Sequence, residues 1–73
     1  MKPPALTGRE VLAALRRGEF LLDHVRGSHH YLRGPTGCMV TVAVHAREDV
    51  PPGTLRSILR QAGLTVEEFT ALL

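Results

Sequence analysis

Hydrophobic residues recur with a helical period at both ends of the chain and with a strand period in the middle. Near the amino-terminal end, the apolar positions of residues 11–15 form a stripe that predicts a helix with arginines on its other side. Thr7 and Glu10 have the spacing of a capping box, so this helix is expected to begin at Thr7. Gly18 is expected to end it.

The middle of the chain changes to a strand pattern. Residues 20–26 form a mixed apolar stretch of strand length, and a turn at Gly27 and Ser28 separates it from a second strand at residues 29–33. A loop rich in glycine and proline follows, and residues 38–45 then alternate with three valines on one face. Because the connections are short, these three strands are predicted to form an antiparallel meander.

Two helices are predicted after the strands. Pro51, Pro52 and Gly53 break the strand pattern, and residues 55–62 carry the strongest helical stripe in the chain. Gly63 is expected to end this helix, and residues 65–68 repeat the capping-box pattern at the start of a short last helix. The helical stripes need an apolar surface, which one face of a sheet provides.

The predicted fold is therefore a single α+β domain spanning residues 1–73. Its order is α-β-β-β-α-α, with the helices on one face of a three-stranded antiparallel sheet. The other face of the sheet is expected to stay open.

The bulk composition narrows the setting in which such a domain would work. Cys38 is the only cysteine, so no disulfide closes within the chain and a cytoplasmic location is expected. Residues 1–4 do not resemble a signal peptide, and no apolar run approaches the ~20 residues that cross a bilayer. The net charge is only +2, but eight of the nine basic residues are arginines, which is compatible with RNA binding.

Strand alternation distinguishes between two adjacent histidines. Cleaving RNA without a metal needs a proton acceptor near neutral pH, and histidine has an unperturbed pKa of about 6.5. If Leu32 packs under the helices, His29, Tyr31 and Arg33 share the open face. An arginine can pair with phosphate, and an aromatic ring can stack on a base. The predicted RNA-facing set is Arg26, Gly27, Ser28, His29, Tyr31 and Arg33.

Four segments, in order along the chain, carry a family resemblance. They are residues 6–11, the Gly-Ser-His-His-Tyr-Leu run at 27–32, residues 41–45 and residues 52–64. Together they resemble the HicA family of toxins from toxin–antitoxin systems, also described as YcfA-like. The chain departs from the family at residues 18–20, where Gly-Glu-Phe replaces the usual Gly-Phe pair.

The resemblance implies a fold similar to a double-stranded-RNA-binding domain and a ribosome-independent mRNA interferase. It implies His29 as the catalytic residue, since the family's catalytic histidine follows Gly-Ser, and Arg26 matches a polar position before that pair. It also implies a HicB-type antitoxin as partner. No cofactor, metal or membrane is expected to take part, and the free toxin is expected as a monomer.

Three alternative interpretations remain open at this point. The first is a non-catalytic module that binds double-stranded RNA, although neither late helix starts with a lysine cluster. The second is a metal site built from His24, His29, His30 and His45, although adjacent strand residues point to opposite faces. The third is an interaction protein, or a degenerate toxin that acts only through antitoxin binding.

Overall fold

The computed structural model describes residues 5–73; residues 1–4, on which the signal-peptide prediction rests, lie outside this range. The elements follow the predicted order. They are α1 (Gly8–Arg17), β1 (Leu21–Arg26), β2 (His29–Arg33), β3 (Met39–Ala43), α2 (Pro52–Ala62) and α3 (Val66–Thr70). The strands form one antiparallel sheet in the order β1-β2-β3, so the prediction of an α+β fold with a meander is confirmed.

Both predicted capping boxes are present. At α1, the Glu10 backbone N–H donates to the Thr7 hydroxyl over 3.3 Å, and the Thr7 N–H donates to the Glu10 carboxylate over 2.9 Å. Thr65 and Glu68 repeat this pair at α3, with distances of 3.0 and 2.8 Å. Each box satisfies backbone donors that the first turn of a helix leaves without partners.

Two of the predicted strands are longer than the strands in the structure. β1 begins at Leu21 rather than Phe20, because the Phe20 N–H donates back to the Leu15 carbonyl (3.0 Å) at the end of α1 and its ring is buried. β3 covers Met39–Ala43 rather than residues 38–45, because Ala43 pairs with His29, the first residue of β2. Past that pair, the segment opposite is the Gly27-Ser28 turn and not a strand, and the Val44 N–H donates to the Ser28 carbonyl in that turn (2.8 Å).

The core lies between the helices and one face of the sheet. Its largest fully buried side chains come from α1, β2, β3, α2 and α3: Val11, Leu15, Leu32, Val40, Val42, Leu55 and Phe69. Burial of such apolar surface is the main stabilising contribution in a domain of this size. The burial of Leu32 fixes which face of β2 is covered.

The helices cover the sheet unevenly. α1 and α2 pack mainly against β3, and the Gln61 side chain of α2 accepts a hydrogen bond from the Thr41 N–H at the outer edge of β3 (3.0 Å). β1 extends beyond this cover, so Leu21, Leu22 and Val25 remain largely exposed. The sheet therefore has one protected edge and one open edge, at β1.

Candidate active site

Alternation along β2 places His29, Tyr31 and Arg33 on the face of the sheet opposite to the helices. Leu32 is completely buried on the helix side, and His30 lies half-buried on that same side. His29 is exposed to solvent, as strand parity predicts. This surface is called the open face below, and it includes the residues of β1 and β3 that pair with these three positions.

The turn before His29 is a two-residue hairpin loop. Arg26 and His29 are directly paired across it, and Gly27 has a φ of +60°. A glycine with positive φ in the first loop position is typical of a type II′ turn, which matches the twist of the strands that it joins. The Ser28 carbonyl accepts a hydrogen bond from the Val44 N–H over 2.8 Å, so the loop is tied to the chain beyond β3.

The predicted arginines lie at different distances from His29. Arg26 is its direct partner on β1, so the two side chains are neighbours on the open face. Arg33 lies four residues further along β2, which corresponds to ~13 Å between Cα atoms in a strand. Arg26 is therefore the only one of the two arginines that lies beside His29.

Small side chains lie beside His29 on β3. Ala43 is opposite His29, and Thr41 is opposite Tyr31. Both side chains are small, so neither rises far above the sheet beside the imidazole. The surface of the open face is therefore lower along β3 than along β2, where His29 and Tyr31 project.

The structure adds His24 to the open face. It pairs with Tyr31, and the two rings stack with centroids 4.4 Å apart and planes within 7° of parallel. His24 Nδ1 lies 2.9 Å from the Asp23 carboxylate, and the His24 side chain is 50% exposed. Because His24 lies on the β1 side of Tyr31, the opposite face of the tyrosine ring is turned towards Thr41.

A bulge explains why strand alternation alone does not reveal this arrangement. The register shifts between Leu22 and His24, so Leu22 pairs with Leu32 on the helix side whereas His24 pairs with Tyr31 on the open face. Simple alternation would put Leu22 and His24 on the same face. The two-residue hairpin loop does allow a prediction from the sequence. It places Arg26 opposite His29 on the open face, and His24, two residues before Arg26 on the same strand, then lies on that face as well.

A cleft of about 340 Å³ opens at the far end of β3, beside the Ser28 turn. It is lined by residues from the start of α1 and from the chain after β3: Thr7, Gly8, Arg9, Val44, His45, Ala46 and Arg47. Its two arginines were not among the predicted site residues. They add positive charge to the wall of this cleft.

Residues 5–73 lack two kinds of feature. Within this range, no three His, Cys, Asp or Glu side chains form a group that could hold a metal ion. None of the helices found there has the length and apolar character needed to cross a bilayer.

Comparison with protein families connects this geometry to a known group. The family model described as the HicA toxin of bacterial toxin–antitoxin systems matches residues 8–64, more than three quarters of the chain. The chain belongs to the HicA toxin family. Comparison with individual curated proteins gives no match.

Membership in the HicA family makes the chain a toxin of a toxin–antitoxin system, and it implies pairing with an antitoxin of the HicB type. The match covers the whole open face, including all six predicted site residues. It ends before α3, yet Phe69 of that helix is fully buried in the core. This HicA chain therefore completes its core with a segment beyond the matched range.

Proposed function

We propose that this HicA toxin is an mRNA interferase, a ribosome-independent endoribonuclease in which His29 is the general base. The observation that carries the proposal is the placement of His29, which is exposed on the open face directly opposite Arg26. A proton acceptor beside a fixed positive charge is the arrangement that cleavage of a phosphodiester requires.

In the proposed reaction, His29 removes the proton from a ribose 2′-hydroxyl. The 2′-oxygen attacks the adjacent phosphorus, and the bond from phosphorus to the 5′-oxygen breaks. The products are a 2′,3′-cyclic phosphate and a 5′-hydroxyl, and the 5′-oxygen leaves with a proton. This mechanism needs no metal ion or cofactor, because side chains supply the proton acceptor and the positive charge.

The two arginines have separate roles in this proposal. Arg26 contacts the phosphate that is attacked and stabilises the negative charge that develops on its oxygens. Arg33, further along β2, pairs with the phosphate of a neighbouring nucleotide and contributes to binding. This division replaces the simpler expectation that both arginines act on one phosphate.

Tyr31 and the turn position the RNA. The side of the Tyr31 ring that faces Thr41 is not covered by His24, so a nucleobase can stack there above β3. Gly27 and Ser28 form a tight turn, so His29 is the first residue of β2 and its imidazole lies at the edge of the site. A single-stranded RNA with an unstacked base fits this surface better than a regular duplex.

The regulation and setting follow from the same proposal. A HicB-type antitoxin would mask the open face and prevent access of mRNA to His29. The toxin acts as a single domain in the cytoplasm, where both the mRNA and a reducing environment for Cys38 are found. The free toxin acts as a monomer, since the residues assigned to the reaction all lie on one chain.

The test is cleavage of a defined RNA by the purified toxin, without ribosomes and in the presence of a strong chelator. We expect fragments that end in a 2′,3′-cyclic phosphate and begin with a 5′-hydroxyl, identified by mass spectrometry. A matched RNA with a single 2′-deoxy nucleotide at the cleaved position should resist cleavage there. Binding of the RNA without any cleavage would overturn the proposal.

A further inference from the structure

We propose that His24 is the general acid of the reaction, which protonates the 5′-oxygen as it leaves. The inference rests on the proposed function and adds the second proton-transfer group that cleavage requires. It is motivated by the position of His24 on the open face and by its hydrogen bond to Asp23.

The register brings the two histidines close together. Arg26 pairs with His29 and His24 pairs with Tyr31, so His24 and His29 are diagonal neighbours on one face of an antiparallel pair. Such neighbours are ~7–8 Å apart between Cα atoms. The attacking and leaving oxygens lie on opposite sides of the phosphorus in an in-line displacement. Two imidazoles at this separation can approach one phosphate from two sides.

Asp23 determines which nitrogen of His24 is available. The bulge places the Asp23 carboxylate 2.9 Å from His24 Nδ1, so the Nδ1–H donates to Asp23 and Nε2 is the nitrogen free to meet a substrate. Stacking against Tyr31 fixes the plane of the ring. The charged and titratable groups around His24 on the open face are Asp23, Arg26, His29, Tyr31 and Arg33.

These two histidines account for both proton transfers in the reaction. His29 begins neutral and takes the proton of the 2′-hydroxyl, while His24 begins protonated and gives its Nε2 proton to the 5′-oxygen. One bond forms between the 2′-oxygen and phosphorus, and one bond breaks between phosphorus and the 5′-oxygen. No electron transfer or additional reactant is needed, and solvent exchange restores both protonation states.

A sulfur substitution tests the role of His24 directly. In an RNA whose 5′-bridging oxygen is replaced by sulfur at the cleaved position, the leaving group is a thiolate. A thiol, with a pKa of about 8.5, is a far stronger acid than water or an alcohol, so sulfur leaves without needing a proton donor. Loss of a general acid should therefore slow cleavage of the oxygen RNA and spare the sulfur RNA.

The variant for this experiment is His24→Asn, whose amide can keep the hydrogen bond to Asp23 but cannot act as an acid. His24 is half-exposed on an edge strand, so the variant is expected to fold, which thermal melting checks. Single-turnover cleavage of the oxygen RNA should fall ~10²–10⁴-fold. The variant should cleave the sulfur RNA within a few-fold of the wild-type rate, whereas His29→Ala should be slow on both RNAs.

Each other outcome overturns the assignment in a recognisable way. Equal losses on the two RNAs would mean that His24 only supports the Tyr31 ring, and no loss on the oxygen RNA would mean that His24 takes no part. If the wild type cleaves neither RNA, or if His29→Ala cleaves both at the wild-type rate, the proposed function itself fails. The His24 assignment would then fail with it.

Discussion

The close approach of α1 to the end of β3 makes Gly8 a sensitive position. Gly8 is the first residue of α1 and is buried, and a Cβ built on it would lie 2.7 Å from the Ala43 carbonyl oxygen and 3.1 Å from the Val44 Cα. Ordinary contacts between carbon and carbonyl oxygen begin at about 3.3 Å. Gly8→Ala therefore requires helix and sheet to move apart by roughly 0.6 Å.

The expected effect combines two opposing contributions. Overpacking of this kind costs about 1–3 kcal/mol, and both clashing atoms belong to the backbone, which cannot turn away as a side chain can. Alanine also favours a helix over glycine by up to about 1 kcal/mol. We expect Gly8→Ala to reduce the free energy of unfolding by about 1–2 kcal/mol, since the overpacking exceeds the gain in helix propensity.

Gly53 provides the matched control. It lies in the first turn of α2, and a Cβ there would meet nothing within 4 Å. Gly53→Ala should be neutral or stabilising by about 0.4–1 kcal/mol, because it restricts the unfolded chain without a clash. The measurement is urea unfolding of both variants, supported by thermal melts in which 1 kcal/mol corresponds to ~4–8 °C. If Gly8→Ala is as stable as Gly53→Ala, the packing of α1 on β3 is not as described.

Two further predictions concern acid stability and the arginines. The Thr7 backbone N–H, and to a smaller extent its hydroxyl, lower the pKa of Glu10 below its usual 4.5. The ionised Glu10 carboxylate therefore stabilises the folded chain above pH 4.5, and this contribution is lost as the pH falls through the lowered pKa. Thermal melts from pH 6 to pH 3 should therefore show Glu10→Gln less stable than wild type at pH 6, with a gap that narrows on acidification; a constant gap would contradict this. In single-turnover cleavage, Arg26→Ala should lower the rate at saturation, whereas Arg33→Ala should mainly raise the concentration needed for half-saturation, and the reverse pattern would refute the division of roles.

The sequence predicts most of the fold because its local signals agree with one another. The two capping boxes, the Gly63 helix end with a φ of 72° and the Gly27 turn each involve residues close in sequence. Local hydrogen-bonding patterns of this kind depend little on tertiary contacts. The sequence also predicts which face of β2 is buried, since Leu32 is the best core candidate of this strand and lies buried in the structure.

The features that the sequence does not predict depend on pairing between distant residues. The extra residue at Asp23 shifts the register of β1, and no local signal in residues 21–26 marks that position. Without the register, His24 cannot be placed against Tyr31. The shorter β3 likewise reflects where its partner begins at His29, which is a property of the pair and not of either strand.

The role of His29 is tested most directly by comparing two adjacent histidines on opposite faces of β2. His29→Ala and His30→Ala remove the same side chain from neighbouring positions, one on the open face and one half-buried on the helix side. In single-turnover cleavage of one RNA, we predict that His29→Ala is ~10²–10⁴-fold slower than wild type. His30→Ala should stay within about tenfold of wild type, because it removes no reacting group. A His29→Ala toxin that cleaves at the wild-type rate would contradict the proposed mechanism.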